Sequence, residues 1–131
     1  MSTQRSTTIR AYRESEVLTA SRERLLVITF DALVASLTRA KLGATMQNRE
    51  VTINGIDRAR ALLAELLVTL DHDAGGDLSR RLASVYVFIL GELDRLALKP
   101  EAGALARHVH LVTELRDAFA QSATVPHVGV A

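Results

Sequence analysis

The chain has 131 residues and no cysteine, and its 16 basic and 15 acidic side chains leave a net charge of +1. That balance gives no electrostatic reason to expect nucleic acid or an anionic membrane as partner, and the missing thiols exclude a disulfide framework, a cysteine nucleophile and a thiolate metal site. With 48% hydrophobic residues, seven Gly, two Pro and no sustained period-two alternation, the pattern is all-α and long enough for one domain with its own core.

Met1 to Thr8 is rich in Ser and Thr and has no apolar pattern, so it is expected to be disordered. It lacks the apolar run of a secretory leader, and no stretch of the chain has the roughly 18 uncharged apolar residues of a membrane span. A soluble, cytoplasmic protein is expected. Ile9, Tyr12, Val17 and Leu18 then place apolar groups in a polar lead-in. Two readings are open: a short helix capping the domain, or a mobile plug over a binding surface.

Ser21 offers a cap for a helix from about Arg22 to Leu42, with Glu23 near its positive end. Leu26, Phe30, Leu33, Leu37 and Ala40 form its stripe, while Leu25, Val27, Ile28 and Val34 lie outside it, as in a helix buried on several sides. Gly43 is the expected stop. A second helix runs from about Arg49 to His72 with Ile56, Ala59, Leu63, Leu66, Leu67 and Leu70 on one face. Gly55, near its start, costs about 1 kcal/mol relative to Ala if it is interior.

Asp71 to Asp77 makes a helical hairpin: Gly75 and Gly76 can take the left-handed backbone that stops one helix, and Asp77 can cap the next. That next helix is predicted from about Leu78 to Leu98, with a stripe of Leu78, Leu82, Val85, Ile89, Leu93 and Leu96. Pro100 marks the start of a fourth, reaching about Gln121, in which Leu105, Val109, Val112 and Phe119 are widened to one side by Leu111 and Leu115. Residues 9–121 would then be one helical domain, and 122–131 a flexible tail. Four helices of about 20 residues on short connections predict an antiparallel up-down four-helix bundle with a short N-terminal capping segment.

Leu62, Ala64 and Val68 on the second helix, and Val87, Leu90 and Leu98 on the third, lie off the stripes. Apolar surface beyond what one core uses marks an interaction site or an aggregation hazard.

Catalytic and metal chemistry is not expected. Asp71, Asp73 and Asp77 fall at calcium-loop positions 1, 3 and 7, but Gly75 stands at position 5 and Leu82 where a bidentate Glu is needed. No Glu has a His three residues later, as an inward-facing di-iron pair requires, and His108 and His110 point to different faces and are read as solvated or partly buried. There is no nucleophile elbow or phosphate loop. No catalytic residue, metal or cofactor is assigned.

Several short motifs stand in order along the chain: Ala11-Tyr12, Thr19-Ala20-Ser21, Val27 to Ala32, Leu70-Asp71-His72-Asp73-Ala74-Gly75-Gly76-Asp77-Leu78 followed by Leu82 and Tyr86, and Glu114 to Phe119. Together they resemble the FliS family of flagellar export chaperones, from about Ile9 to Phe119. The chain departs from that pattern at Arg22, Ala32, Val87 and Phe119, where the family has Pro, Gly, Asp and Trp. The resemblance implies hydrophobic grooves on the outside of the bundle that hold the C-terminal segment of flagellin, preventing premature polymerisation, with the loaded complex docking on the cytosolic domain of the flagellar export gate. It adds Ile9 and Tyr12 to the partner surface, so the expected partner-binding residues are Ile9, Tyr12, Leu62, Val68, Val87, Leu90 and Leu111. The free protein would be mainly a monomer or weak dimer. The alternative is a helical adaptor or homodimerising bundle that uses the same apolar flank.

Overall fold

The computed structural model describes the backbone of residues 3–71 and 76–124, with side chains over 8–10, 23–70 and 76–121. It is all-helical over these residues: α1 (Thr3–Thr45), α2 (Arg49–Asp71), α3 (Gly76–Leu98) and α4 (Ala102–Thr124). Helix α1 packs against both α2 and α4, and α2 packs against α3.

At 1.5 Å per residue the 43 residues of α1 extend about 65 Å, against about 35 Å for each 23-residue helix. The lead-in is therefore neither a separate cap nor a coil here, but about twenty further residues of α1. No Gly or Pro interrupts Thr3 to Leu42, and Ser21 lies inside the helix instead of capping it.

The first stop also differs. Gly43 is helical, α1 continues to Thr45, and Gln47 takes the left-handed conformation with φ 54°. The Asn48 amide then donates to the Gly43 carbonyl at 2.8 Å, and the Asn48 side chain caps α2 by accepting from the Val51 amide at 3.2 Å. Gly43 serves packing instead: a Cβ there would lie 2.5 Å from the Thr52 amide nitrogen. Gly55 has the same task one turn deeper, where a Cβ would meet the Ala40 nitrogen and the Ser36 carbonyl oxygen, each at 2.7 Å. The backbones of α1 and α2 touch at this end.

The core is made by Phe30, Leu33, Leu37 and Ala40 of α1 with partners from all three other helices. Burying a side chain such as Phe30 or Leu33 stabilises by about 1.5–3 kcal/mol. The Phe30 ring is stacked on Phe119 of α4 at 5.3 Å and tilted against Tyr86 of α3 at 6.3 Å. The expected stripes hold in their middle and shift at the edges. On α2 Ile56, Ala59, Leu63 and Leu66 are buried as expected, the buried face widens to Thr52, Gly55 and Leu62, and Leu67 and Leu70 are half-buried; on α3 the inner face runs through Leu82, Tyr86, Ile89, Leu93 and Leu96, with Val85 half-buried and Leu78 exposed.

Ion pairs bridge the helices at the surface. Arg60 of α2 reaches Asp94 of α3 at 2.6 Å, and Arg116 of α4 reaches Asp31 of α1 at 2.6 Å. Such exposed pairs contribute roughly 0–1 kcal/mol each. At the α2–α3 turn Gly76 is left-handed, with φ 58° and nothing near its Cβ position, and Asp77 pairs with Arg80. The other proposed stop, Gly75, lies outside the described residues.

Gly55→Ala should destabilise the fold by about 1–3 kcal/mol through overpacking, whereas Gly91→Ala, in mid-helix with open space around its Cβ, should be neutral or stabilising by up to about 1 kcal/mol. Urea midpoints of the two variants decide this, and equal shifts would contradict the close approach. Gly76→Val should cost more than 1 kcal/mol through its positive φ, read in the same titration.

Candidate partner-binding groove

Beyond the glycine contact, toward the α2–α3 turn, a gap lies between α1 and α2. A cavity of 360 Å³ opens between Leu25, Leu26 and Thr29 of α1 and Glu65, Leu66 and Thr69 of α2, with Glu23 also in its lining. A second, of 320 Å³, shares Leu26, Leu66 and Thr69 with it and continues to Leu70, Leu78, Leu82, Tyr86 and Phe119. A shallower hollow on the outer side of α2 is lined by Ala64, Glu65, Val68 and Thr69. The three spaces lie side by side along the C-terminal half of α2, the first two sharing Leu26, Leu66 and Thr69 and the third sharing Glu65 and Thr69 with the first; together they are called the channel.

Its edges are wet leucine and valine: Leu25 is 60% exposed, Val68 59% and Leu78 63%. Its hydroxyls bond within their own helices, Thr29 Oγ1 donating to the Leu25 carbonyl at 2.9 Å and Thr69 Oγ1 to the Glu65 carbonyl at 3.0 Å. Burial pushes the Tyr86 phenol up to about 12, so it stays neutral. The channel offers shape and apolar area with acidic groups, Glu23 and Glu65, along one side. Apolar grooves of this kind are the general setting for capture of amphipathic segments.

The sequence-derived site residues fall in different environments. Val68 lines the channel, while Val87 is 57% exposed on α3, and Ile9 is exposed on the N-terminal stretch of α1. Leu90 and Leu111 are half-buried against the core. Leu62 is a correction: at 3% exposure it is a core residue, because the α2 stripe is turned toward it by the contact at Gly55. The side chain of Tyr12 lies outside the described residues. Leu25 and Leu78 were missed as surface groups, and Phe88, 57% exposed beside Val87, was not singled out. The position of Leu78 in the first turn of α3 was the available signal for it, since a helix end has fewer neighbours.

His108 is buried on α4, its Nε2 3.6 Å from Glu92 and its ring 5.8 Å from Phe88, both on α3. Burial holds it below the ordinary histidine range, with Glu92 partly offsetting that; Glu92 itself is held low, first by Arg95. Among the described residues no group of three or more His, Cys, Asp or Glu is placed to hold a metal ion, and no helix is long and apolar enough to cross a membrane.

Residues 5–126 match the family model described as flagellar protein FliS. The chain belongs to the FliS family. It is 28% identical over 116 residues to the flagellar secretion chaperone FliS of Escherichia coli K12, a match covering 86% of this chain and 84% of the relative. It is 27% identical over 111 residues to the protein of the same name from Salmonella typhimurium, covering 82% of this chain and 81% of the relative. The FliS chaperone of Campylobacter jejuni is 25% identical over 76 residues, 58% of this chain and 59% of that one. FliS proteins are flagellar secretion chaperones and not enzymes, in keeping with a site made of apolar walls.

Because the His108 pKa is lowered on folding, the unfolded chain takes up the proton first as the pH falls. Its contribution is complete above the ordinary value near 6.5 and is lost as the pH drops through the folded value. The urea midpoint should therefore fall between pH 7.5 and 5.5, and fall less in His108→Gln; equal falls in both proteins would rule His108 out as the source.

Proposed function

We propose that this chain holds the C-terminal segment of flagellin in the channel around α2 while both are in the cytoplasm, keeps it from polymerising, and presents it to the cytosolic domain of the flagellar export gate. The observation that carries this reading is the set of neighbouring, mainly apolar cavities along α2 edged by exposed Leu25, Val68 and Leu78, in a chain of a family of secretion chaperones. Short links between the three 23-residue helices favour an antiparallel, up-down arrangement of the four helices. The channel is then a gap between neighbouring helices at one end of a bundle.

Holding follows from the thermodynamics of such a groove. A client segment without structure of its own loses conformational freedom on docking, so part of the gain from apolar burial is offset and release stays feasible. Ile9 and Tyr12, Val87, Leu90 and Leu111 would extend the contact along α1, α3 and α4. No nucleotide or other cofactor enters this cycle, and export proceeds by handing the client on.

Calorimetric titration with a peptide of about 40 residues from the C-terminus of flagellin of the same bacterium should show one-to-one binding with a negative heat-capacity change. Leu25→Asp with Val68→Asp should abolish it while helical content and melting stay near those of the parent, since both side chains are already exposed. Absence of binding by the parent chain would refute the client, and unchanged binding by the double variant would refute the channel.

A further inference from the structure

Carboxylates on the surface of this protein are set beside cations: Asp31 meets Arg116, Asp94 meets Arg60 and Glu92 meets Arg95. Glu65 of α2 differs. It is exposed, and among the described residues its carboxylate forms no ion pair or hydrogen bond. The side chains one helical turn away, Ala61, Leu62, Val68 and Thr69, include no base that could neutralise it. Glu65 also stands where two of the cavities meet, lining the α1–α2 space with Leu25 and the outer hollow with Val68. Glu23, on α1, lines the first of these as well, and among the described residues lining the three spaces there is no Lys, Arg or His.

We propose that Glu65 selects the occupant of the α1–α2 cavity: an amphipathic helical segment carrying a Lys or Arg one turn from the apolar side chain that enters beside Leu25. This deepens the function proposed above and rests on it for the role of the cavity. In the free protein water solvates the Glu65 carboxylate, and a docking segment strips that water away. A wholly apolar or acidic segment would leave the carboxylate dehydrated and unpaired, which is costly. A basic side chain at the same place donates a charge-assisted hydrogen bond among aliphatic walls, where the attraction is less screened than in open water. Selection therefore works by penalty on the wrong segment as much as by attraction to the right one.

The neighbouring cavity gives the preference a direction. Its lining, which includes Leu78, Tyr86 and Phe119, is uncharged, so a segment reaching across both spaces should be basic toward α1 and apolar toward α3. A metal ion is a poorer match for the acidic side, because among the described residues no third carboxylate or imidazole joins Glu23 and Glu65.

The test is fluorescence anisotropy with two labelled peptides of about 18 residues, five turns of helix, that share one leucine and alanine pattern and carry either Lys or Gln one turn from the leucines. The full chain should bind the lysine peptide roughly fivefold more tightly at low salt, with the advantage shrinking as salt is added. Glu65→Gln should bind both peptides alike, with unchanged helical content and urea midpoint, since the carboxylate has no described partner to lose. Glu50→Gln, at the far end of α2, should keep the preference. Equal binding of the two peptides by the parent, binding of neither, or a preference that survives in Glu65→Gln each overturns the proposal. The flagellin peptide reads the client separately. If it binds while the lysine preference is missing, charge selection fails and the client stands; a lysine preference lost in Glu65→Gln, with no binding of the flagellin peptide, keeps the charge selection and refutes the client.

Discussion

The backbone contact between α1 and α2 at Gly55 sets the rest of the structure. With a Cβ position 2.7 Å from the Ala40 nitrogen and the Ser36 carbonyl oxygen, no side chain larger than hydrogen fits there without displacement. Gly43 against Thr52 extends the contact to the turn, where Asn48 caps α2 and Gln47 takes the left-handed bend. Two helices pinned backbone to backbone at one end leave a cavity between Leu25, Leu26 and Leu66 at the other. The glycine contact also fixes how α2 is rotated, sending Leu62 inward and leaving Val68 at the surface.

That geometry separates stability from recognition along the length of the molecule. The buried residues of α1, Phe30 through Ala40, lie against close-packed partners, while Leu25, Val68 and Leu78 remain wet around a gap. Exposed apolar edges of this kind reduce solubility, and a protein retains them where a partner covers them. A groove with few polar anchors reads amphipathic pattern and bulk more than exact side-chain identity, which would suit the unstructured client proposed above.

The helix count, the α2–α3 and α3–α4 connections and most of the core were legible because three of the four helices end in strong local signals. Asn48 caps α2, Gly76 is left-handed, and Pro100 stands just before α4. Where the readings differed, tertiary contact had overruled a local rule. Gly43 looked like a stop and is a spacer; Ser21 looked like a cap and lies within a helix that nothing around it breaks. His108 was read as solvated or partly buried, and it is fully covered, beside Phe88 and Glu92 of a helix that no wheel can position. Leu25 and Leu78 were expected inside because their faces are apolar. Helical periodicity reports which residues share a face, and only the separation of α1 from α2 reports which part of that face meets water. Family membership was legible in the motifs because each one sits at a turn, a helix end or a core position that the fold constrains.

The glycines impose two different kinds of selection. At Gly43 and Gly55 the constraint is volume: the Cβ of any L-residue would press on the backbone of the neighbouring helix. At Gly76 space is free and the constraint is chirality, since φ is +58° and nothing lies within 4 Å of a Cβ. A mirror-image residue there, such as D-alanine placed by chemical ligation, would adopt the required backbone without strain and reduce the freedom of the unfolded chain. The hairpin between α2 and α3 is therefore a point where the fold prefers the opposite hand of amino acid, and glycine is the nearest approach to it that the genetic code supplies.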